Sequence, residues 1–156
     1  MSALHPIQSL SAHPHLAEGP VLVIALCADW CGTCREFQPV LERIALAHPE
    51  MVFAWADIED DAELVGDIEL DSFPTLAIFH RGRPLHFGAS PPLEPVVTRL
   101  IRSTAATPAG AQRDVPDEVF ELGARGGGDL LPFEAGHRVF LGVEHLHEAA
   151  VLCDFL

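Results

Sequence analysis

Cys31 and Cys34 stand two residues apart in the stretch ADWCGTCREFQPV, residues 28–40. Thiols at this spacing can supply half of a metal site, staple the chain, or exchange with another disulfide. A closed zinc site takes four ligands, usually as a second CxxC or a pair of histidines at suitable spacing. Cys27 and Cys153 do not form that second pair. His13-x-His15 and His145-x-His147 alternate as residues of a solvated surface do, so no metal is expected. An inert pair would be an unusual occupant of a Trp-Cys-Gly-Thr-Cys turn between an apolar run and a helical one. Exchange has a direct physical cause. Cys31 falls just before the helical stretch, where unpaired amide N–H groups and the helix dipole stabilise an anion. A free thiol ionises near pH ~8.5, and such a position lowers that value. Gly32 is expected to let the backbone turn tightly and bring Cys34 alongside Cys31. The first sulfur can then attack a disulfide and the second can release the mixed disulfide.

The elements that must position these thiols are legible in the patterning. Val21 to Leu26 (VLVIAL) is a continuous apolar run after Gly19-Pro20, the signature of a strand buried on both faces. After the cysteines, Phe37, Val40, Leu41, Ile44 and Ala45 recur at helical spacing, with Pro39 expected to kink the helix and His48-Pro49 to stop it. MVFAWADI (Met51 to Ile58) reads as a strand and EDDAELVGDI as a short helix opened by acidic residues. FPTLAIFH, the turn RGRP and LHFG read as two strands in a hairpin. PLEPVVTRLIRS reads as an amphipathic helix with Leu93, Val96, Val97, Leu100 and Ile101 on one side. This order predicts a mixed sheet with helices on both faces. Beyond Arg102 the chain turns rich in Ala, Pro and Gly, as a linker does. The last stretch is apolar again, with Val143, Leu146, Ala150 and Cys153 on one helical stripe.

Bulk properties exclude several classes of partner. The chain has 156 residues, enough for one domain with a real core, and 49% of them are hydrophobic, too many for a disordered chain. A formal net charge of −14 argues against nucleic acid and against anionic membrane surfaces, which need basic residues. All nine basic residues are arginine. The N-terminal stretch has neither the early positive region nor the small-residue cleavage site of a signal peptide, and VLVIAL is too short to span a bilayer. A cytoplasmic location is therefore expected, and in a reducing compartment a CxxC is a metal half-site or a redox pair.

The combination of features resembles the thioredoxin family from about Val21 to Arg102. The resemblance rests on the ADWCGTC turn, Pro39 five residues past the second cysteine, the SFPTLAIF strand with Pro74 forty residues after it, Gly82 at the hairpin, and FGA beyond. It implies an α/β thioredoxin-like fold, a central mixed β-sheet flanked by helices, with a short C-terminal appendage. Residues 1–20 would form an N-terminal strand/helix segment, 21–102 the core, 103–136 a linker, and 137–156 an appendage packing on the core. Cys31 would be the nucleophile and Cys34 the resolving thiol, within a turn completed by Trp30, Gly32 and Thr33. Pro74 would be a cis-proline facing the cysteines. Phe73, Pro74, Thr75, Gly88 and Ala89, with Trp30, would border a substrate groove; ordinary packing is the competing reading for Phe73 and Trp30.

The activity so implied is thiol:disulfide exchange that reduces disulfides of client proteins. No bound cofactor is needed, because the electrons sit in the Cys31–Cys34 pair, and a NADPH-dependent flavoprotein reductase would recharge it. Several residues depart from the family pattern. Ala25 and Trp55 stand where its reductases carry a buried Asp and a Lys, and Thr33 stands where efficient reductases carry proline. Asp57 reads either as a substitute base or as a solvated charge. Cys27, in place of an aromatic residue, reads as a small buried apolar residue or as a partner for a regulatory disulfide with Cys31; Cys153 reads similarly, or as a thiol that could protect Cys31. Eight acidic residues and no basic one lie between Asp57 and Asp71, a solvated face or a wall that selects basic clients. These departures leave open a weakly catalytic assembly or chaperone factor, or a thiol sensor, that holds a client through the groove.

Overall fold

The computed structural model describes residues 3–66, 68–81, 83–106 and 119. Its centre is the apolar run, which forms strand β2 (Val21–Cys27) with every residue after the first buried. Leu22, Ile24 and Leu26 enter the core on one face of the sheet, while Val23 and Ala25 enter it on the other. A strand can bury both faces only from the middle of a sheet. Accordingly β2 lies between parallel β3 (Val52–Asp57) and antiparallel β4 (Thr75–His80). The five-stranded order is β1-β3-β2-β4-β5, with β1 (Leu4–Pro6) and β5 (Arg83–Ala89) at the edges. This is the mixed sheet flanked by helices that the patterning predicts.

Helix α1 (Gly32–Ala47) packs Phe37, Leu41, Ile44 and Ala45 onto the face of Val23 and Ala25. It runs through Pro39, giving up the one backbone bond a proline cannot donate. Helix α3 (Glu94–Ala105) covers the same face through Val97 and Ile101. Its apolar stripe is narrower than expected. Leu93 caps the helix from outside and is 56% exposed, and Val96 is 42% exposed. The opposite face is covered by Ile7 and Leu10 of a 3-10 helix (Ile7–Ala12), by Val65 of the short helix α2 (Ala62–Val65), and by Val119.

Two elements have no strong signal in the pattern, β1 and the 3-10 turns after it. Tertiary partners hold them. Leu4 pairs with Phe53 in parallel register, and the Glu42 carboxylate on α1 accepts the N–H groups of Ala3 (2.7 Å) and Leu4 (3.0 Å). Among the described residues, no helix is long and apolar enough to cross a membrane. Gly82, most of the linker expected over 103–136 and the whole appendage expected over 137–156, with Cys153 and its stripe, lie outside the described residues. Within the linker stretch, α3 continues to Ala105, and Val119 is fully buried.

Candidate active site

The sheet delivers the C-terminal ends of β2 and β3 to one edge, where parallel strands of open α/β sheets present their ligand sites. β2 ends at Cys27, and the chain then turns through residues 28–31, with the Cys31 N–H donating to the Ala28 carbonyl at 3.0 Å. Cys31 is the N-cap of α1, in extended conformation, and its carbonyl accepts the Arg35 N–H at 3.2 Å. Cys34 lies in the first turn of the same helix. The thiol therefore stands at the amide-rich end of a 16-residue helix, as the spacing predicts. Gly32 contributes less than expected. Its φ is not positive, and a Cβ there would meet only Arg35 Nη2 at 3.9 Å, so glycine's freedom is not what makes this turn.

The sulfurs include a pairing that the resemblance does not imply. A disulfide joins Cys34 to Cys27, seven residues away. The last residue of β2 and the first turn of α1 approach to a Cα–Cα distance of 5.8 Å, within the usual range for such a bond. Cys27 is thus buried, as expected, and takes part in a disulfide. No cysteine among the described residues is free. Cys27, Cys31 and Cys34 share one apolar cluster with Ala28, Ile58 and Phe73, and each of the three is at most 1% exposed.

Of the residues named for the groove, Phe73 shares the buried cluster of the sulfurs. The Phe73–Pro74 peptide is cis, and the Pro74 carbonyl accepts the Ser90 N–H at 3.1 Å. Thr75 pairs with Ala89, and Leu76 with Gly88, across β4 and β5. The Phe73 side chain is buried, so it packs the sulfur cluster, and Trp30 meets it edge-on with ring centroids 5.7 Å apart. Trp30 is itself 36% exposed, and its Nε1–H donates to Glu59 at 3.2 Å.

Asp57, at the end of β3, is the residue whose role the sequence conceals most. It is buried, with 6% exposure, and its carboxylate accepts three backbone N–H groups: Asp29 at 2.7 Å, Glu59 at 2.8 Å and Asp60 at 3.0 Å. It is therefore not the solvated charge that its acidic neighbourhood suggests. It ties the turn before Cys31 to the turn after β3. Asp61 answers from the other side, accepting the Asp57 N–H at 2.8 Å and a bond from Gln8. Carboxylate oxygens of Asp29, Asp57 and Asp60 lie within 4.8 Å of one another. Asp57 first of all, then burial and the neighbouring carboxylates, raise the Asp60 carboxyl above its ordinary value. Ala25 and Trp55 are direct partners in the β2–β3 register, so the place of the family's acid and lysine is filled by a methyl group and an indole.

The thioredoxin family model matches residues 12–92. A putative thioredoxin 2 of Streptomyces coelicolor is 38% identical over 63 residues, which are 40% of this chain and 47% of that protein. The thioredoxin of Alicyclobacillus acidocaldarius is 42% identical over 67 residues, 42% of this chain and 63% of its own. The chain thus spans about half the length of the curated relatives it matches. Among solved structures, a poplar thioredoxin h superposes with a TM-score of 0.56 at 20% identity, covering 67% of this chain and 98% of that one. Fasciola hepatica thioredoxin gives 0.55 at 24%, covering 67% and 99%; at such identities the likeness is one of fold. A helix capped by cysteine beside a cis-proline, on a five-stranded mixed sheet whose sequence fits this model over half its length, places the chain in the thioredoxin family.

Proposed function

We propose that the protein is a thiol:disulfide oxidoreductase that reduces disulfides of client proteins through Cys31 and Cys34. The observation that carries this reading is that Cys31, the N-cap of α1, and Cys34, in its first turn, are both disulfide-bonded cysteines of one buried cluster in a thioredoxin-family domain. In the reduced protein, the Cys31 thiolate attacks one sulfur of the client disulfide. A Cys31–client bond forms, the client S–S bond breaks, and the departing sulfur takes a proton. Cys34 then attacks the Cys31 sulfur, a Cys31–Cys34 bond forms, and the second client thiol leaves. Two electrons pass from the protein to the client. The helix N-terminus favours the Cys31 thiolate, and Gly32 and Thr33 set the spacing of the pair. Trp30, Phe73, Pro74, Thr75, Gly88 and Ala89 provide the surface on which an extended client segment lies. No bound cofactor takes part; a NADPH-dependent flavoprotein reductase of the thioredoxin-reductase kind restores the thiols, in a reducing compartment such as the cytoplasm.

A second reading has one observation in its favour: the Ala25–Trp55 register position offers no proton acceptor for Cys34. Slow exchange would suit an assembly or chaperone factor, or a thiol sensor, that holds its client in the groove. Insulin reduction by dithiothreitol, with wild type and Cys31→Ser, separates the two. Turnover in wild type that falls at least 100-fold in the variant supports the oxidoreductase. Absent turnover with client binding that survives the substitution supports the holding factor.

A further inference from the structure

Two imidazoles meet at the sheet edge farthest from β5. His5 lies in β1, paired with Ala54 of β3, and His13 closes the 3-10 helix (Ile7–Ala12), its N–H donating to the Leu10 carbonyl at 2.9 Å. Ile7 and Leu10 of that helix are buried in the core, so both rings are carried by backbone that the core fixes. The ring centroids are 4.5 Å apart, and the two Nε2 atoms face each other at 3.2 Å. A borderline divalent cation bonds imidazole nitrogen at about 2.0–2.1 Å, which sets two such nitrogens about 3.0–3.4 Å apart, from an octahedral edge to a tetrahedral one. The observed separation falls inside that range. We propose that His5 and His13 form a two-histidine site for a divalent transition cation of the Zn²⁺ or Ni²⁺ kind, with water completing the coordination.

The competing occupant of the gap is a proton. His13 Nδ1 accepts the His15 N–H at 3.3 Å, which leaves the His13 proton on Nε2, donated to His5. His5 accepts through Nε2 and so carries its own proton on Nδ1, already the tautomer that a ligand at Nε2 needs. His13 must change tautomer. The cation takes its Nε2 lone pair, that proton leaves to water and Nδ1 takes one up, so no net proton is released. Binding thus gives up one long hydrogen bond, from the His15 N–H, and forms two metal–nitrogen bonds. The His15 ring turns to Glu18, with Nδ1 and Oε2 3.4 Å apart, and is not needed as a ligand. Imidazole selects Zn²⁺, Ni²⁺ and Cu²⁺ over Mg²⁺ and Ca²⁺, which prefer oxygen. A cation held here clips β1, an edge strand of three residues, to the end of the helix that follows it. The alternation His13-x-His15 conceals the site, because the second ligand comes from a strand eight residues earlier.

The test uses the full chain with its cysteines oxidised, so that thiolates do not compete, and Ni²⁺ as the probe at pH 7.5. After EDTA treatment and desalting, excess Ni²⁺ should raise the melting temperature of the wild type by about 3 °C or more, because the cation binds the folded arrangement of the two rings. His5→Gln and His13→Gln should each abolish the rise, while His15→Gln and Asp60→Asn keep it. No rise in wild type overturns the proposal. A rise that survives in His5→Gln or His13→Gln also overturns it, and so does one lost in His15→Gln or Asp60→Asn, which would move the cation to the neighbouring ring or to the acidic turn. If a ring variant does not fold, carbethoxylation of the wild type decides. Ni²⁺ should slow labelling of His5 and His13 by about tenfold and leave His48 unchanged; labelling unaffected at either ring overturns the site.

Discussion

Cys27 and Asp57 are partners at one register position, at the end where β2 and β3 deliver the site. Both are buried, at 0% and 6% exposure, and both meet the turn that carries the N-cap cysteine. Their bonds differ in kind. Asp57 accepts three backbone N–H groups from two loops, and its own N–H and carbonyl are engaged by Asp61. Cys27 is held by a covalent link to Cys34, and a disulfide can change partners without moving the backbone far. A carboxylate with both oxygens bonded to amides of two loops is a fixture, and it cannot let one loop go without the other. The comparison therefore separates what holds the site from what reacts in it, although both groups come from neighbouring strand ends.

The largest effect expected from this contrast is on stability. Asp57→Ala leaves three N–H groups without their acceptor, and hydrogen bonds to a charged group are each worth about 1.5–3 kcal/mol. Urea unfolding of the oxidised protein should show a loss of about 3 kcal/mol or more. A loss below about 1 kcal/mol would mean that the loops are held by something else, and the contrast with Cys27 would dissolve. The disulfide itself should survive the substitution in whatever fraction remains folded, because no bond of Asp57 reaches a sulfur.

A carboxylate can also be placed where nothing occupies its oxygens. Ala25 lies two residues before Cys27 on the same face of β2, fully buried opposite Trp55. Burial raises a carboxyl's pKa, and an acid that titrates near neutrality is suited to take a proton from a resolving thiol. Ala25→Asp should therefore speed disulfide reduction by about tenfold, below the usual range for general-base help because proton transfer is only one of the steps. A new limb should enter the pH–rate profile above the ordinary carboxyl range. An unchanged profile would show that the missing acid is not what limits exchange here.

Much of this arrangement was legible before any coordinates. Unbroken apolarity in VLVIAL specifies a central strand, because only a central strand hides both faces, and the stripe from Phe37 to Ala45 specifies the side on which α1 packs. Cys31 reads correctly as the residue that opens the helix. The Cys27–Cys34 bond was hidden for a geometrical reason: it depends on how closely a strand end approaches a helix turn across the loop between them. Asp57 was hidden by its company. Among eight acidic residues, a buried one looks like a solvated one until the amides that face it are known. Leu93 and Val96 misled in the opposite sense, since helical spacing alone does not say where a helix begins or whether its whole stripe is covered.

The smallest effect is a titration away from the sulfurs. In the oxidised protein the Cys27–Cys34 disulfide does not ionise, so the pH response of stability near neutrality should come from histidines. His13 accepts the His15 N–H at its Nδ1 (3.3 Å) and faces His5 Nε2 through its own Nε2 at 3.2 Å. Neutral His13 then carries its proton on Nε2 and donates it to His5, and a proton on its Nδ1 would displace the His15 N–H. Burial, then His5, then His15 lower the His13 pKa, and burial alone lowers that of His86 on β5. A depressed histidine pKa means that the unfolded chain binds more protons once the pH falls to about 6.5. Stability should accordingly be fully present above that pH and decline as it falls toward the lowered folded values. Thermal melts at pH 7.5 and 5.5 read the decline, and His13→Gln should reduce it by about 1–3 °C, a small shift because the ring is largely solvated. A decline of the same size in wild type, His13→Gln and His86→Gln would move the pH response to other groups; Asp60 is not one of them, because its raised carboxyl gains stability as the pH falls.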